Sequence, residues 1–208
     1  MQAAQGPDSD GVRMFNKPIV INSVDAYLDD DIQDGSYYRE LLHYMRNMEE
    51  GDELRLWIDT DGGILDGATA IIDAMKTCQG DITCIVTGKA YSAGSLIALS
   101  APNLLIGESA TFMCHSHSYG LKGKHSDIES NFAFHKRVIE KMLRDGYKWF
   151  LTDAEIEQML QGKDFWFDTE ETKARLENRL SAQQAAQKKA QQLTKPKRKT
   201  KVVTDKEQ

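Results

Sequence analysis

The sequence predicts an α/β fold around a mostly parallel sheet, and three observations carry that prediction. Apolar residues switch repeatedly along the chain between a strand period of two and a helical period. Glycines and short polar stretches punctuate the switches. No window approaches the run of about 18 apolar residues that a membrane span needs, so the apolar segments must pack on one another. Strands alternating with helices close right-handed βαβ units. A chain of 208 residues, 40% of them hydrophobic, can bury one sizeable core. We expect a flexible arm over residues 1–16, one domain over 17–180, and a basic, disordered tail over 181–208.

Element by element, residues 18–21 form a short apolar run read as the first strand. Tyr38, Leu41, Leu42, Met45 and Met48 then recur at helical spacing within residues 37–48. Leu54, Leu56 and Ile58 alternate with Arg55, Trp57 and Asp59 as a strand does. Asp61-Gly62-Gly63 turns the chain into a helix whose apolar face is Ile64, Ala68, Ile71, Ile72 and Met75, and residues 82–87 return as a strand closed by Gly88. A short apolar helix over 91–101 follows, beginning at a serine, then strands at 104–106 and 111–116. The polar, Gly-containing residues 116–124 cannot be a core element. A long helix runs from Asp127 to about Phe150. Thr152 and Glu155 have the spacing of a capping box, Phe165-Trp166-Phe167 is a short strand, and a charged helix ends the domain.

The net charge of −6 hides an asymmetry: residues 181–208 hold eight Lys/Arg against Asp205 and Glu207, a balance of +6, which leaves −12 for residues 1–180. Such a tail can touch nucleic acid or an acidic surface, but its composition also fits a solvated end with no partner. The start of the chain lacks the basic segment and apolar stretch of a signal peptide, so a cytoplasmic location is expected. Cys78, Cys84 and Cys114 are odd in number and lack CxxC spacing, so they read as buried thiols and not as a disulfide framework or zinc cage.

Four places can carry chemistry, each with a plainer reading beside it. Ser92, where a strand gives way to a helix among small residues, is either a nucleophile on a sharp turn or only the N-cap of the helix. His115, closing the strand that contains Cys114, can take and return a serine proton; with His117 it can also share a metal ion, although no nearby carboxylate offers a third ligand; or it is a strand-end histidine with a satisfied hydrogen bond. Asp164, entering the aromatic strand, can orient that histidine or be a solvated loop acid. Gly62-Gly63 can present freed amides to an oxyanion or simply make a turn.

Taken in order, strand-Gly-Gly-helix, Gly88-Lys89-Ala90-Tyr91-Ser92-Ala93-Gly94, Met113-Cys114-His115 and Lys163-Asp164-Phe165-Trp166-Phe167 resemble the proteolytic-subunit family of the Clp protease, ClpP. The resemblance covers residues 18–176. It implies a ClpP/crotonase-type fold of repeated ββα units with a protruding handle helix starting near Asp127. It implies a serine endopeptidase with Ser92 as nucleophile, His115 as base and Asp164 as third member, and oxyanion amides on Gly63 and Ala93. Gly62 and Ile64, with Gly120, Leu121 and Lys122 of the Gly-rich stretch, are the expected substrate contacts. No metal, nucleotide or other cofactor is implied, and the chain has no phosphate-binding Gly-x-x-x-x-Gly-Lys motif.

The implied assembly is a homo-oligomeric ring of seven, singly or as two stacked rings, acting on protein or peptide substrates. Asp61 stands where the family usually has Pro, and Ser116-His117 where it has Gln-Pro. A polar arm at residues 1–10 replaces the family's apolar axial segment, which points away from dependence on a Clp-type AAA+ unfoldase. A shortened member with a basic tail suits a phage-encoded version that processes capsid proteins. Two other readings stand beside the protease: a catalytically silent ring subunit acting as scaffold or regulator, and a crotonase-like acyl-CoA enzyme, which shares the fold but needs no Ser92.

Overall fold

In the computed structural model, which describes residues 21–118 and 124–194, a single sheet runs in the order β1-β2-β3-β5-β6, with β4 also on β3. The strands are β1 (Ser23–Leu28), β2 (Glu53–Thr60), β3 (Asp81–Tyr91), β4 (Asn103–Ile106), β5 (Thr111–Cys114) and β6 (Phe165–Phe167). Every pairing is parallel except β5 with β6. The helices are α1 (Arg39–Asn47), α2 (Leu65–Thr77), α3 (Ala93–Ser100), α4 (His125–Tyr147), α5 (Asp153–Leu160) and α6 (Thr169–Thr194). The mixed α/β fold expected from the sequence is therefore present. The arm at 1–16, the run at 18–20, Gly120, Leu121, Lys122 and residues 195–208 lie outside the described residues.

The core follows the apolar periods. Leu54, Leu56 and Ile58 of β2 and Ile82, Cys84 and Val86 of β3 are fully buried on one set of alternating positions, and Ile71, Met45 and Ile97 pack from α2, α1 and α3. Two strand readings need amending. Ser23–Leu28, which the sequence reading passed over, is the first strand among the described residues. Its pattern is half polar because it is an edge strand, steadied on its exposed face by Asp25, which accepts from Arg55 Nε (2.8 Å) and Trp57 Nε1 (2.8 Å) on β2.

Gly88 does not close β3 either. The register with β2 slips between Ile58 and Thr60, and the Asp59 carboxylate fills the irregularity by accepting from the Lys89 N–H at 2.9 Å. A Cβ on Gly88 would collide with that carboxylate, so the glycine marks a bulge and the strand continues to Tyr91. Beyond the bulge β3 exchanges its partner, pairing with β4 over Thr83–Val86 and with β5 over Lys89–Tyr91.

The expected capping box is formed: the Thr152 hydroxyl accepts from the Glu155 N–H (3.2 Å) while the Glu155 carboxylate accepts from the Thr152 N–H (2.8 Å). Arg175 of α6 joins it, donating to Glu155 and to the Phe150 carbonyl. Thr169 fixes the start of α6 by donating to the Ala110 carbonyl at 2.7 Å. Residues 181–194, expected to begin a disordered tail, continue α6 as helix, in keeping with their Ala, Gln and Lys content. Of the three thiols, Cys84 and Cys114 are buried, and burial pushes both up to about 12. Cys78 is only half-buried. No described helix is long and apolar enough to cross a membrane.

Candidate active site

Ser92 sits at the hinge between β3 and α3 with φ 53 and ψ −118, a conformation a non-glycine residue adopts only when its surroundings impose it. Its N–H donates to the Met113 carbonyl of β5 at 2.9 Å. Although Ser92 occupies the N-cap position, its side chain makes no cap hydrogen bond. Instead Oγ lies 2.6 Å from His115 Nε2. The sharp turn explains why: it rotates the hydroxyl away from the α3 amides and out over the end of the sheet, where the chain leaving β5 delivers His115.

Asp164 stands beside the same histidine but at a longer distance, 4.0 Å from its Oδ1 to His115 Nδ1, beyond hydrogen-bond range. The Asp164 side chain is half-exposed, whereas that of His115 is mostly covered. The structure thus brings all three candidate side chains to one place and joins two of them.

The amides come next. Ala93 is the first residue of α3, so its N–H has no acceptor within the helix. Gly63 is bridged to Ile32, and that bridge uses the Gly62 carbonyl (2.7 Å from Ile32 N) and the Ile64 N–H (2.7 Å from Ile32 O). The Gly63 N–H therefore points away from Ile32. Both glycines are sterically required. A Cβ on Gly63 (φ 143) would overlap the Ile32 backbone, and one on Gly62 (φ 107) would come 2.6 Å from Ser92 Cβ. Gly62 is thus the contact surface on which the elbow rests, and its own N–H is engaged by Thr60 Oγ1 at 3.0 Å. An ion pair between Lys89 Nζ and Asp61 (2.5 Å) ties the glycine turn to β3.

A cleft of about 900 Å³ opens in front of Ser92 and His115. Ile64 lines it, half-exposed, and the far wall is the apolar face of α4 with Phe134, Val138 and Met142. His117 lines it too, and burial lowers its pKa, disfavouring the charged form. Among the described residues no group of three or more His, Cys, Asp or Glu is arranged to hold a metal ion. Two further residues escaped the sequence reading. Ser95, fully buried in α3, donates from Oγ to the Ser92 carbonyl at 2.7 Å, and its Oγ lies 2.9 Å from the hydroxyl of Tyr147, the buried last residue of α4. Neither carries a spacing signal, because the contact joins residues far apart in sequence.

A family model described as Clp protease matches residues 16–175. The ATP-dependent Clp protease proteolytic subunit 3 of Rhizobium meliloti (strain 1021) is 31% identical over 129 residues, 59% of this chain and 64% of the relative. An ATP-dependent Clp protease proteolytic subunit from Streptococcus suis (strain 98HAH33) is 27% identical over 144 residues, 64% of this chain and 70% of the relative. The chain thus spans just under two thirds of the rhizobial relative.

Proposed function

The chain belongs to the Clp protease family, and from that premise we propose that it is a serine endopeptidase whose nucleophile is Ser92. The observation that carries the reading is the 2.6 Å contact of Ser92 Oγ with His115 Nε2 at a strained strand-to-helix turn. His115 takes the Ser92 proton as Oγ attacks the peptide carbonyl, then returns it to the leaving amine. The Gly63 and Ala93 amides receive the negative charge that develops on the carbonyl oxygen, a donor of this kind contributing about 3 kcal/mol. Water completes the cycle by the same proton shuttle. This chemistry calls for no metal or nucleotide.

Asp164 holds His115 in the productive tautomer once the gap of 4.0 Å closes by about 1 Å. That gap suits a protomer completed by its neighbours, in a homo-oligomeric ring, seven-membered and single or stacked. The apolar cleft wall admits a large apolar substrate side chain, and Ile64 lies where it would touch the bound strand. Gly120, Leu121 and Lys122 would pair with that strand. We place the enzyme in the cytoplasm, without obligatory use of a Clp-type unfoldase, and a phage capsid-maturation protease is the setting its departures suit. The same 4.0 Å gap favours one second reading, a silent ring subunit that scaffolds or regulates active ones.

A fluorophosphonate probe separates the two. Applied to wild type and Ser92→Ala and followed by size-exclusion chromatography, it should label only wild type, and much faster in a ring-sized species than in isolated protomers. Absence of label from every wild-type species would favour the silent subunit.

A further inference from the structure

The carbonyl of Ser92 is held by more donors than a helix start supplies. Besides the N–H groups of Ser95 (3.1 Å) and Leu96 (3.3 Å), it accepts from Ser95 Oγ (2.7 Å) and lies 3.4 Å from the Tyr147 hydroxyl. A serine hydroxyl has one proton. Since Ser95 spends it on the Ser92 carbonyl, the proton in the 2.9 Å contact between Ser95 and Tyr147 comes from Tyr147. A directed chain results, from Tyr147 O–H to Ser95 O–H to Ser92 C=O, in which each bond polarises the next. Burial raises the Tyr147 pKa well above its ordinary value, so the phenol keeps the proton the chain requires. Cys114, packed against both hydroxyls, shares the pocket with its thiol likewise raised by burial.

The carbonyl so gripped belongs to the same peptide group as the Ala93 N–H. No cis bond occurs in the described chain, and in a planar trans peptide the C=O and N–H point in opposite directions. Fixing the carbonyl inward therefore fixes the N–H outward, into the cleft beside Ser92 Oγ. It also holds Ser92 in its strained φ and ψ.

We propose that Ser95 and Tyr147 are positioning residues for the oxyanion site, aiming the Ala93 amide by gripping the opposite end of its peptide group. The inference rests on the protease reading for its catalytic meaning, but not for its geometry. Both residues are fully buried and act through the Ser92 peptide group. Tyr147 makes the end of α4 part of the catalytic elbow, so the helix that walls the cleft also sets the aim of an oxyanion donor.

The test uses full-length protein carrying Tyr147→Phe, Ser95→Ala or both. Deleting an oxyanion donor costs about 10²–10³ in kcat. Mis-aiming one should cost less: about 5–30-fold in kcat for Ser95→Ala and about 3–10-fold for Tyr147→Phe, with KM on a fluorogenic peptide within about twofold. The double variant should lose little more than Ser95→Ala, because the two hydroxyls act as one chain. In protein labelled with ¹⁵N-alanine, both single variants should move the Ala93 amide resonance, a readout that needs no turnover.

Wild-type kcat in variants that keep wild-type Tm and particle size would overturn the proposal. So would an unmoved Ala93 resonance, or a loss that disappears when each variant is assayed at an equal margin below its own Tm. If wild type fails to label at Ser92, the protease reading falls, while the Ala93 resonance still decides whether Ser95 and Tyr147 aim the amide.

Discussion

The two sides of the candidate site are built differently. On the Ser92 side, that residue is tied through its N–H to β5, through its carbonyl to Ser95 Oγ, which is itself 2.9 Å from the Tyr147 hydroxyl, and through its Cβ to Gly62. On the acid side, Asp164 is half-exposed, stands 4.0 Å from His115, and lies in a short turn between α5 and β6. On the proposed reading, the difference teaches that the fold holds its nucleophile and oxyanion donors in place from within one chain and leaves the orientation of the base to be completed. Pre-organised dipoles must be rigid before substrate arrives, whereas an orienting carboxylate can be engaged later and can therefore report on assembly.

Asp164→Asn tests this most sharply. In the largest species separated by size, the substitution should lower peptide hydrolysis by about 10⁴, the loss expected when the base is held in the wrong tautomer. In isolated protomers it should change the rate of fluorophosphonate labelling by less than about threefold, since the carboxylate is not yet bonded there. Equal losses in both species would break the comparison, because Asp164 would then engage His115 without help.

Gly63→Ala probes the opposite side and should not discriminate between species. The added methyl must displace the Ile32 backbone and with it the Gly63 amide, so we expect a kcat loss of about 10²–10³ wherever activity is measured. A variant with full kcat and unchanged Tm would remove Gly63 from the oxyanion site.

The smallest effect concerns the scaffold beneath the acid. Arg175 and the Thr152 cap hold Glu155 at about 2, so its folded pKa is depressed. That contribution is present above the ordinary glutamate value and is lost as pH falls from about 4.3 toward the folded value. Glu155→Gln should therefore lower stability by about 1–2 kcal/mol at neutral pH, after allowance for partial solvent exposure, with the difference from wild type shrinking through that acid window. Thermal unfolding of both proteins between pH 7 and pH 2.5 checks it, and a penalty independent of pH would show that Arg175 does not act on an ionised Glu155.

Legibility in the sequence followed the same divide. Ser92, His115, Asp164 and Gly62-Gly63 could be singled out because turn chemistry and residue type mark them locally, and the structure gathers them at one end of the sheet. The β2, α2, α5 and β6 segments were readable because their periods or caps are clean. β1 was passed over because half of an edge strand faces water and carries Ser23, Asp25 and Tyr27, which dilute its alternation. Gly88 was read as a strand end because a glycine signals both a bulge and a break, and only the Asp59 contact decides between them. The hydroxyls of Ser95 and Tyr147 were invisible, since an apolar helix and an amphipathic one give no hint that their polar tips meet. No pattern in the chain encodes the 4.0 Å gap, which depends on how separate elements stack.

The exchange of partners along β3 has a kinetic side. From Lys89 to Tyr91 the strand is flanked by β2 and β5 together, with β6 outside β5. Amide protons in such a three-sided lattice leave only when the domain as a whole opens, whereas those in the exposed first half of α4 can escape by local fraying. We therefore expect the first half of α4 to open separately from the turn at Ser92, loosening to admit a chain while Tyr147, at the other end of the helix, keeps its contact with Ser95.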